Sequence, residues 1–215
     1  MTLSQRYAAV LDYFSHYVPV AQSELNFSSP YELLVAVILS AQCTDKRVNL
    51  VTPGLFKAYP DVGKLASARE EDVLKYIHSI SYPNNKARHL VGMARKVMSD
   101  FGGVIPTDVK SLMTLPGAGR KTANVVASIV EGAAVIAVDT HVFRVSRRLG
   151  LSRGSTPEKV EADLERHIEP ELRPIAHHWL ILHGRYTCLA RNPRCGECPL
   201  IDYCRYAQGS KPSST

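Results

Sequence analysis

Residues 111–140 read SLMTLPGAGRKTANVVASIVEGAAVIAVDT, and the fold of the whole chain turns on how this stretch is understood. Helix-like periodicity at Leu112 and Met113 breaks at Pro116-Gly117-Ala118-Gly119, and a second helical pattern follows through Val125, Val126 and Ile129. After the apolar run Val135 to Val138 comes one carboxylate, Asp139, just ahead of the next helical segment. Two short helices joined by a glycine-bounded turn form a device for gripping a phosphate backbone. Gly117 and Gly119 have no side chains, so the backbone there can turn tightly and approach a phosphate closely. Free N–H groups at the start of the second helix can donate to phosphate oxygens, aided by the helix dipole. Such contacts position a duplex without reading its sequence. A nucleotide-binding phosphate loop is rejected, because that loop needs glycine directly before its lysine and a strand leading in. Here Arg120 precedes Lys121 and no strand pattern comes before it. Spacing alone leaves open an ordinary helix–helix turn in which Arg120 and Lys121 are merely solvated.

Working outward, nearly every segment is helical, and the fold class is all-α. Tyr7, Val10, Leu11 and Phe14 form one apolar stripe at i, i+3, i+4 and i+7. Ser29-Pro30-Tyr31-Glu32 predicts a capping box with proline at the first helical position, opening a buried helix through Leu33, Val37 and Ile38. Ser67-Ala68-Arg69-Glu70 predicts a second box, before Val73, Leu74 and Ile77. A helix starting near Asn84 should stop at Phe101-Gly102-Gly103. Thr107 is expected to cap the helix that enters residues 111–140, and Thr156 one through Val160, Leu164 and Ile168. The last long helix, Ile175 to Tyr186, carries the single tryptophan, Trp179. No strand-like segment of useful length appears, and Val135 to Val138 is either a short strand or a buried connection. The tail from Gln208 to Thr215 is expected to fray.

The chain has 215 residues, enough to bury a real core as one large domain or two small ones. Its 45% hydrophobic and 21% charged composition is that of a globular protein, and its net charge of +6 favours a polyanionic partner. Leu33 to Leu39, the longest apolar run near the N-terminus, falls far short of the ~20 residues of a spanning helix. Polar residues Gln5, Arg6, Asp12 and His16 exclude a signal peptide in Met1 to Val18. An intracellular, reduced setting is therefore expected, in which clustered cysteines suggest a metal over disulfides.

Four of the five cysteines follow C-x6-C-x2-C-x5-C: Cys188, Cys195, Cys198 and Cys204. Four thiolates this close suit one tetrahedral zinc or the four corners of an iron–sulfur cubane, and spacing does not choose between them. Arg185, Arg191, Arg194 and Arg205 lie in or beside this loop. Cys43 stands apart and is expected to be a small core residue on an apolar helix. His177, His178 and His183 share a helix with Trp179 and are read as packing and hydrogen-bonding residues, with no metal assigned to them.

Leu115-Pro116-Gly117-Ala118-Gly119-Arg120-Lys121-Thr122-Ala123, followed by Val138-Asp139-Thr140-His141, resembles the endonuclease III family of DNA glycosylase/AP lyases. Glu24 to Pro30, Leu39 to Gln42, His177 to Arg185 and the cysteine pattern carry the likeness over most of the chain. The resemblance implies two helical domains flanking a DNA-binding cleft. Residues 22–133 would form a six-helix domain with the helix–hairpin–helix, and residues 1–21 with 134–215 a cluster domain. It implies a [4Fe–4S] cluster on Cys188, Cys195, Cys198 and Cys204, with zinc set aside. The implied partner is double-stranded DNA holding damaged bases or abasic sites. No membrane is involved, and a cytoplasmic, nucleoid-associated monomer is expected.

The same resemblance implies site residues. Lys121 would attack the sugar at C1′ and form a Schiff base, with Asp139 assisting. A lysine amine does this only when unprotonated. A helix N-terminus disfavours ammonium, and partial burial would add to that, so a depressed pKa is expected. On base rates Asp139 is a helix cap; the resemblance makes it functional. Gln42 would enter the gap left by a flipped nucleotide, and Asp45 and His141 match pocket positions. Tyr82, Gly117, Gly119, Arg120, Arg191 and Arg194 are DNA-contact candidates. The clearest departure is Ser81-Tyr82-Pro83, where the family commonly places glycine, a large apolar residue and an aromatic one. Tyr82 could replace the apolar wedge by stacking, while Pro83 alters the backbone, which bears on lesion and opposite-base preference. The implied activity removes oxidised pyrimidines and cuts the strand 3′ to the abasic site by β-elimination. Alternatives are the related adenine glycosylase, which usually lacks this lysine and has an extra C-terminal domain, and a non-catalytic DNA-binding iron–sulfur module.

Overall fold

The computed structural model describes residues 1–210, which are helical, with turns and connections and no strand among them. The chain divides into two compact units, Ser23–Ala133 and Met1–Gln22 together with the residues from Ala134 onward.

Within Ser23–Ala133 the centre is α2 (Pro30–Ser40). Leu33, Leu34, Val35, Ala36 and Leu39 have no exposed surface, as expected of a helix apolar on every side. Each such leucine contributes roughly 1.5–3 kcal/mol of burial. Packed around it are α3 (Asp45–Ala58), α6 (Pro83–Phe101) and α8 (Arg120–Glu131). Ala87, Leu90, Val91, Ala94 and Val97 give α6 its buried face, against which α4 (Val62–Ala66) and α5 (Glu70–Ile77) lie. The short α7 (Val109–Leu112) packs on α8.

Several expected helix starts need correction. Ser29 does cap α2, accepting from the Glu32 N–H at 3.2 Å. The Glu32 carboxylate, however, takes the N–H and hydroxyl of Ser28, so the reciprocal half of the box is shifted by one residue. The predicted box at Ser67 does not form. The cap of α5 is Arg69, and Ser67 instead donates to the Gly63 carbonyl at the end of α4. Nor does Thr107 cap α7. Asp108 does so, while the Thr107 hydroxyl bonds to Glu131. At Ser28–Glu32 and at Asp108 a neighbouring polar group offered a competing partner, whereas α5 starts with no side-chain cap at all. Thr156 caps its helix as expected, but Ile168 lies just past the end of it.

The other unit contains α1 (Leu3–Tyr17), α9 (Thr140–Leu149), α10 (Pro157–His167), α11 (Arg173–Tyr186) and α12 (Arg205–Ser210). Tyr7, Val10 and Phe14 of α1 enter a core with Val142, Val145, Leu149, Val160, Leu164 and Trp179. Phe14 and Trp179 stack at 5.6 Å, and the Trp179 indole N–H donates to the Val18 carbonyl at 2.7 Å. Val135 to Val138 is a buried connection, not a strand. Side chains serve its backbone: the Ile136 N–H donates to Glu165 at 3.1 Å, and the Ala137 carbonyl accepts from His177 Nδ1 at 2.8 Å. The expected fraying does not include residues 208–210, which belong to α12, where the Gln208 N–H donates to the Cys204 carbonyl at 3.1 Å. Residues 211–215 of that tail lie outside the described residues.

Candidate functional site

Residues 109–131 form a helix, a tight turn and a second helix. Leu112 and Leu115 are buried, and the Ala118 N–H donates to the Leu115 carbonyl at 3.0 Å, closing the turn. The two glycines have different reasons to be there. Gly117 has φ +81°, and a Cβ placed on it would sit 2.9 Å from the Cβ of His89 on α6. Gly119 has φ −74°, with nothing within 4 Å of where its Cβ would be. Nothing inside the fold therefore demands glycine at 119, and the open space faces outward. Asp108 and Asp139 give their helices side-chain caps, but Gly119 gives α8 none. The first-turn N–H groups of α8 thus lack an acceptor from their own cap, the feature that suits an external phosphate. Lys121 is in that first turn and is exposed, not partly buried as expected. Arg120 beside it is also exposed.

Two further DNA-contact candidates lie in this unit at the ends of helices. Gln42 follows α2 in a turn with φ 52°, and Tyr82 is the N-terminal residue capping α6 with φ 53° and ψ 50°. Both are non-glycine residues in left-handed backbone, and both side chains are exposed, Tyr82 to 62%. With Pro83 opening α6, the departure from the family pattern is accommodated by putting the strained residue immediately before the proline. Asp45 opens α3 behind the capping residue Thr44 and is half-buried. Cys43 is not on an apolar helix as expected; it lies half-buried in the turn after α2, because that helix stops at Ser40.

In the other unit Asp139 caps α9 through one oxygen. Its Oδ1 accepts from the N–H groups of His141 and Val142, each at 2.8 Å. Both bonds fall on the same oxygen, so the carboxylate is held in a fixed orientation while Oδ2 carries no hydrogen bond from the described residues. His141 is half-buried, with Nδ1 3.2 Å from Arg144, and its Cβ packs where a side chain on Gly184 would otherwise go.

Cys188, Cys195, Cys198 and Cys204 line a single cavity with His183, Leu149 and Ile201. Four thiols lining one void would together hold a metal centre, as four cysteine thiolates hold an iron–sulfur cluster. Burial pushes the thiols of Cys198 and Cys204 above the usual range, a cost that bound metal cations would reverse. Sequence reasoning missed two residues that hold this loop. Arg148 of α9 donates to the carbonyls of Leu189 at 2.6 Å and Ala190 at 3.0 Å, and Arg144 to those of Cys188 at 3.1 Å and Gly184 at 2.9 Å. Their i, i+4 spacing in Phe143-Arg144-Val145-Ser146-Arg147-Arg148 was the available signal. Arg191 and Arg194 are exposed on the loop itself. His177 and His183 are buried; the first bonds the Ala137 carbonyl, and the second lies edge-on to Phe14, 3.7 Å from Cys198 Sγ.

A family model described as "HhH-GPD superfamily base excision DNA repair protein" matches residues 35–170. That defines the class: a helix–hairpin–helix protein of base-excision repair. A second model, the iron–sulfur binding domain of endonuclease III, matches residues 188–204, from the first to the last clustered cysteine. The endonuclease III of Rickettsia felis is 46% identical over 92% of this chain and 92% of its own length. That of Escherichia coli is 45% identical over 88% and 90%, and that of Bacillus subtilis 46% over 92% and 91%. The structure of a trapped endonuclease III–DNA covalent intermediate superposes with a TM-score of 0.93 at 42% identity, covering 97% of this chain and 99% of the other. A thermostable thymine-DNA glycosylase shares the fold at 22% identity, with a TM-score of 0.86. The chain belongs to the endonuclease III family.

Proposed function

We propose that Lys121 is the nucleophile of this base-excision enzyme, that Asp139 is its assisting carboxylate, and that Gly117, Gly119, Arg120, Gln42, Tyr82, Arg191 and Arg194 contact the duplex, with Asp45 and His141 at the base pocket. The enzyme is a DNA N-glycosylase and AP lyase that removes oxidised pyrimidines. The damaged base leaves the stack, at a cost of a few kcal/mol that a lesion lowers. The Lys121 amine bonds to C1′ as the glycosidic bond breaks and the base departs with the bonding pair. Asp139 stabilises positive charge developing on the sugar and assists proton transfer. The sugar ring opens to a Schiff base, the 2′ proton is lost, and the C3′–O bond breaks, releasing the 3′ strand with its phosphate.

The observation that carries this reading is the exposed Lys121 in the first turn of a helix whose glycine cap supplies no side-chain acceptor. The protein's cofactor is a [4Fe–4S] cluster. We assign it to Cys188, Cys195, Cys198 and Cys204; when bound, it cross-links four positions of a short basic loop. Residues 22–133 then serve as the hairpin domain and residues 1–21 with 134–215 as the cluster domain. No described helix is long and apolar enough to cross a membrane, and we place the enzyme, as a monomer, with DNA in the cytoplasm.

Borohydride should trap the wild-type protein on abasic-site DNA and should not trap Lys121→Ala. Trapping that persists in a clean Lys121→Ala preparation overturns the assignment. Lys121→Gln should still bind abasic-site duplex, because hairpin and surface charge remain, with log affinity falling linearly in log salt.

A further inference from the structure

Lys86 lies on the buried face of α6 and is only 5% exposed, although lysines are almost never buried unless paired. No carboxylate of the described residues pairs with it. Its ammonium donates to the carbonyls of Leu39 at 2.8 Å and Ala41 at 2.7 Å, and approaches the Ser81 hydroxyl at 3.3 Å. Those carbonyls belong to the C-terminal end of α2, where the helix dipole is negative and the last carbonyls have no partner within the helix. Three neighbouring acceptors are also served: Val37 by the Ser40 hydroxyl at 2.9 Å, Ser40 by the Cys43 N–H at 3.0 Å, and Gln42 by the Ser81 hydroxyl at 2.7 Å. At its other end Lys86 donates its own N–H to the Tyr82 carbonyl at 3.1 Å. One residue thus bonds, within this single unit, to both segments that carry a left-handed, non-glycine residue with an exposed side chain, Gln42 and Tyr82.

We infer that Lys86 is a positioning residue that, with Ser81, locks the Ala41–Gln42 turn to the Tyr82 turn, so that Gln42 and Tyr82 are presented together as one preformed two-pronged probe of the duplex. This rests on the proposed role of Gln42 and Tyr82 in contacting DNA. Left-handed backbone at two such residues persists only where the surroundings over-determine it, and strain of that kind gathers at functional sites. Burial pulls the Lys86 pKa below the ordinary lysine value. Fixing both prongs in the free protein removes the ordering cost that two mobile side-chain loops would add on binding.

The test is a set of double-mutant cycles on the cluster-loaded protein, read as single-turnover nicking of a duplex holding one thymine glycol. Lys86→Met should lower the rate constant about tenfold or more, since small misplacements remote from the chemistry reach ~100-fold. Poor folding would lower the amplitude instead. Ser81→Ala removes one hydroxyl from a partly exposed site and carries the same comparison if Lys86→Met fails to fold. If Lys86 and Ser81 act through the prongs, then Lys86→Met combined with Tyr82→Ala, and Ser81→Ala combined with Gln42→Ala, should be hardly slower than the slower single variant. Independent effects would multiply. Multiplying losses overturn the positioning role and leave the DNA-contact reading standing. Wild-type rates for both Tyr82→Ala and Gln42→Ala overturn that reading and the proposal with it.

Discussion

Replacing Gly117 by alanine tests the hairpin at its tightest point. At φ +81° an L residue incurs about 1–2 kcal/mol of left-handed strain. The new methyl would also sit 2.9 Å from His89 Cβ and 3.2 Å from His89 Cγ and Nδ1, and overpacking of this kind costs ~1–3 kcal/mol. The sum, roughly 2–5 kcal/mol, is a large part of the 5–15 kcal/mol that stabilises a typical protein. At about 2–4 °C per kcal/mol for a chain of this size, the melting temperature should fall by roughly 4–20 °C. Gly119→Ala is the control, because its φ is ordinary and its Cβ would meet open space. Its stability should stay within about 0.5 kcal/mol of wild type, as for most surface changes. Far-UV circular dichroism of the cluster-loaded protein measures both melting curves, and fluorescence anisotropy measures binding to an abasic-site duplex. Gly119→Ala should melt like wild type yet bind DNA more weakly, since its methyl intrudes where a phosphate would approach. Adding His89→Ala to Gly117→Ala should recover only part of the loss, because it removes the ring contacts and leaves the 2.9 Å Cβ contact. An unchanged melting temperature for Gly117→Ala, or an equal loss for Gly119→Ala, refutes the division of labour between the glycines.

Three more outcomes can be checked directly. Asparagine caps a helix about as well as aspartate, so Asp139→Asn should melt close to wild type; its glycosylase rate should fall by ~100-fold or more, as for a lost general acid–base group. A wild-type rate would leave Asp139 only a cap. Arg148→Ala removes the donor to Leu189 and Ala190 and should lower iron per chain and speed proteolysis within residues 188–204; no change in either counts against the anchor. Burial, and then Arg185, hold His178 below the ordinary histidine pKa, so as pH falls below about 6.5 the unfolded chain takes up this proton first. The stability from neutral His178 is therefore full above that pH and is lost as pH falls toward the folded value. His178→Gln should flatten melting temperature against pH in that acid range, and an unchanged slope refutes it.

Helix identity was legible wherever burial is one-sided or complete, because apolar spacing reports directly which face meets the core. Tyr7, Val10 and Phe14 on α1 and the unbroken run Leu33 to Leu39 on α2 were read this way, and both are buried. Capping was less legible because several polar neighbours compete for the same few N–H groups. Thr107 and Asp108 are adjacent, and the carboxylate, the stronger acceptor, takes the cap while the hydroxyl turns to Glu131. Long-range polar contacts were not legible at all. Nothing in the sequence marks Lys86, whose acceptors are carbonyls at the end of α2, 45 and 47 residues away. Arg148 likewise bonds backbone 41 residues ahead of it. In the cluster loop the cysteine spacing announced a metal, but the side chains that hold the loop in shape come from a helix the spacing does not involve.

Most of the candidate residues share a placement that follows from backbone chemistry. Gln42 follows the end of α2, Tyr82 begins α6, Gly119 to Lys121 begin α8, and Asp139 begins α9. Helix interiors satisfy their own backbone groups; helix ends do not, and something else must complete them. Asp108 completes the end of α7 from within, which leaves that end with nothing to offer a ligand. Gly119 gives the end of α8 no side-chain cap beside a lysine, which suits it to an anion. Asp139 lies between these cases, since one carboxylate oxygen caps α9 and the other is not used by the cap. The cap and the proposed catalytic role are therefore compatible readings of Asp139: two main-chain bonds to Oδ1 restrain the carboxylate, and a fixed carboxylate is worth more to a developing positive charge than a mobile one.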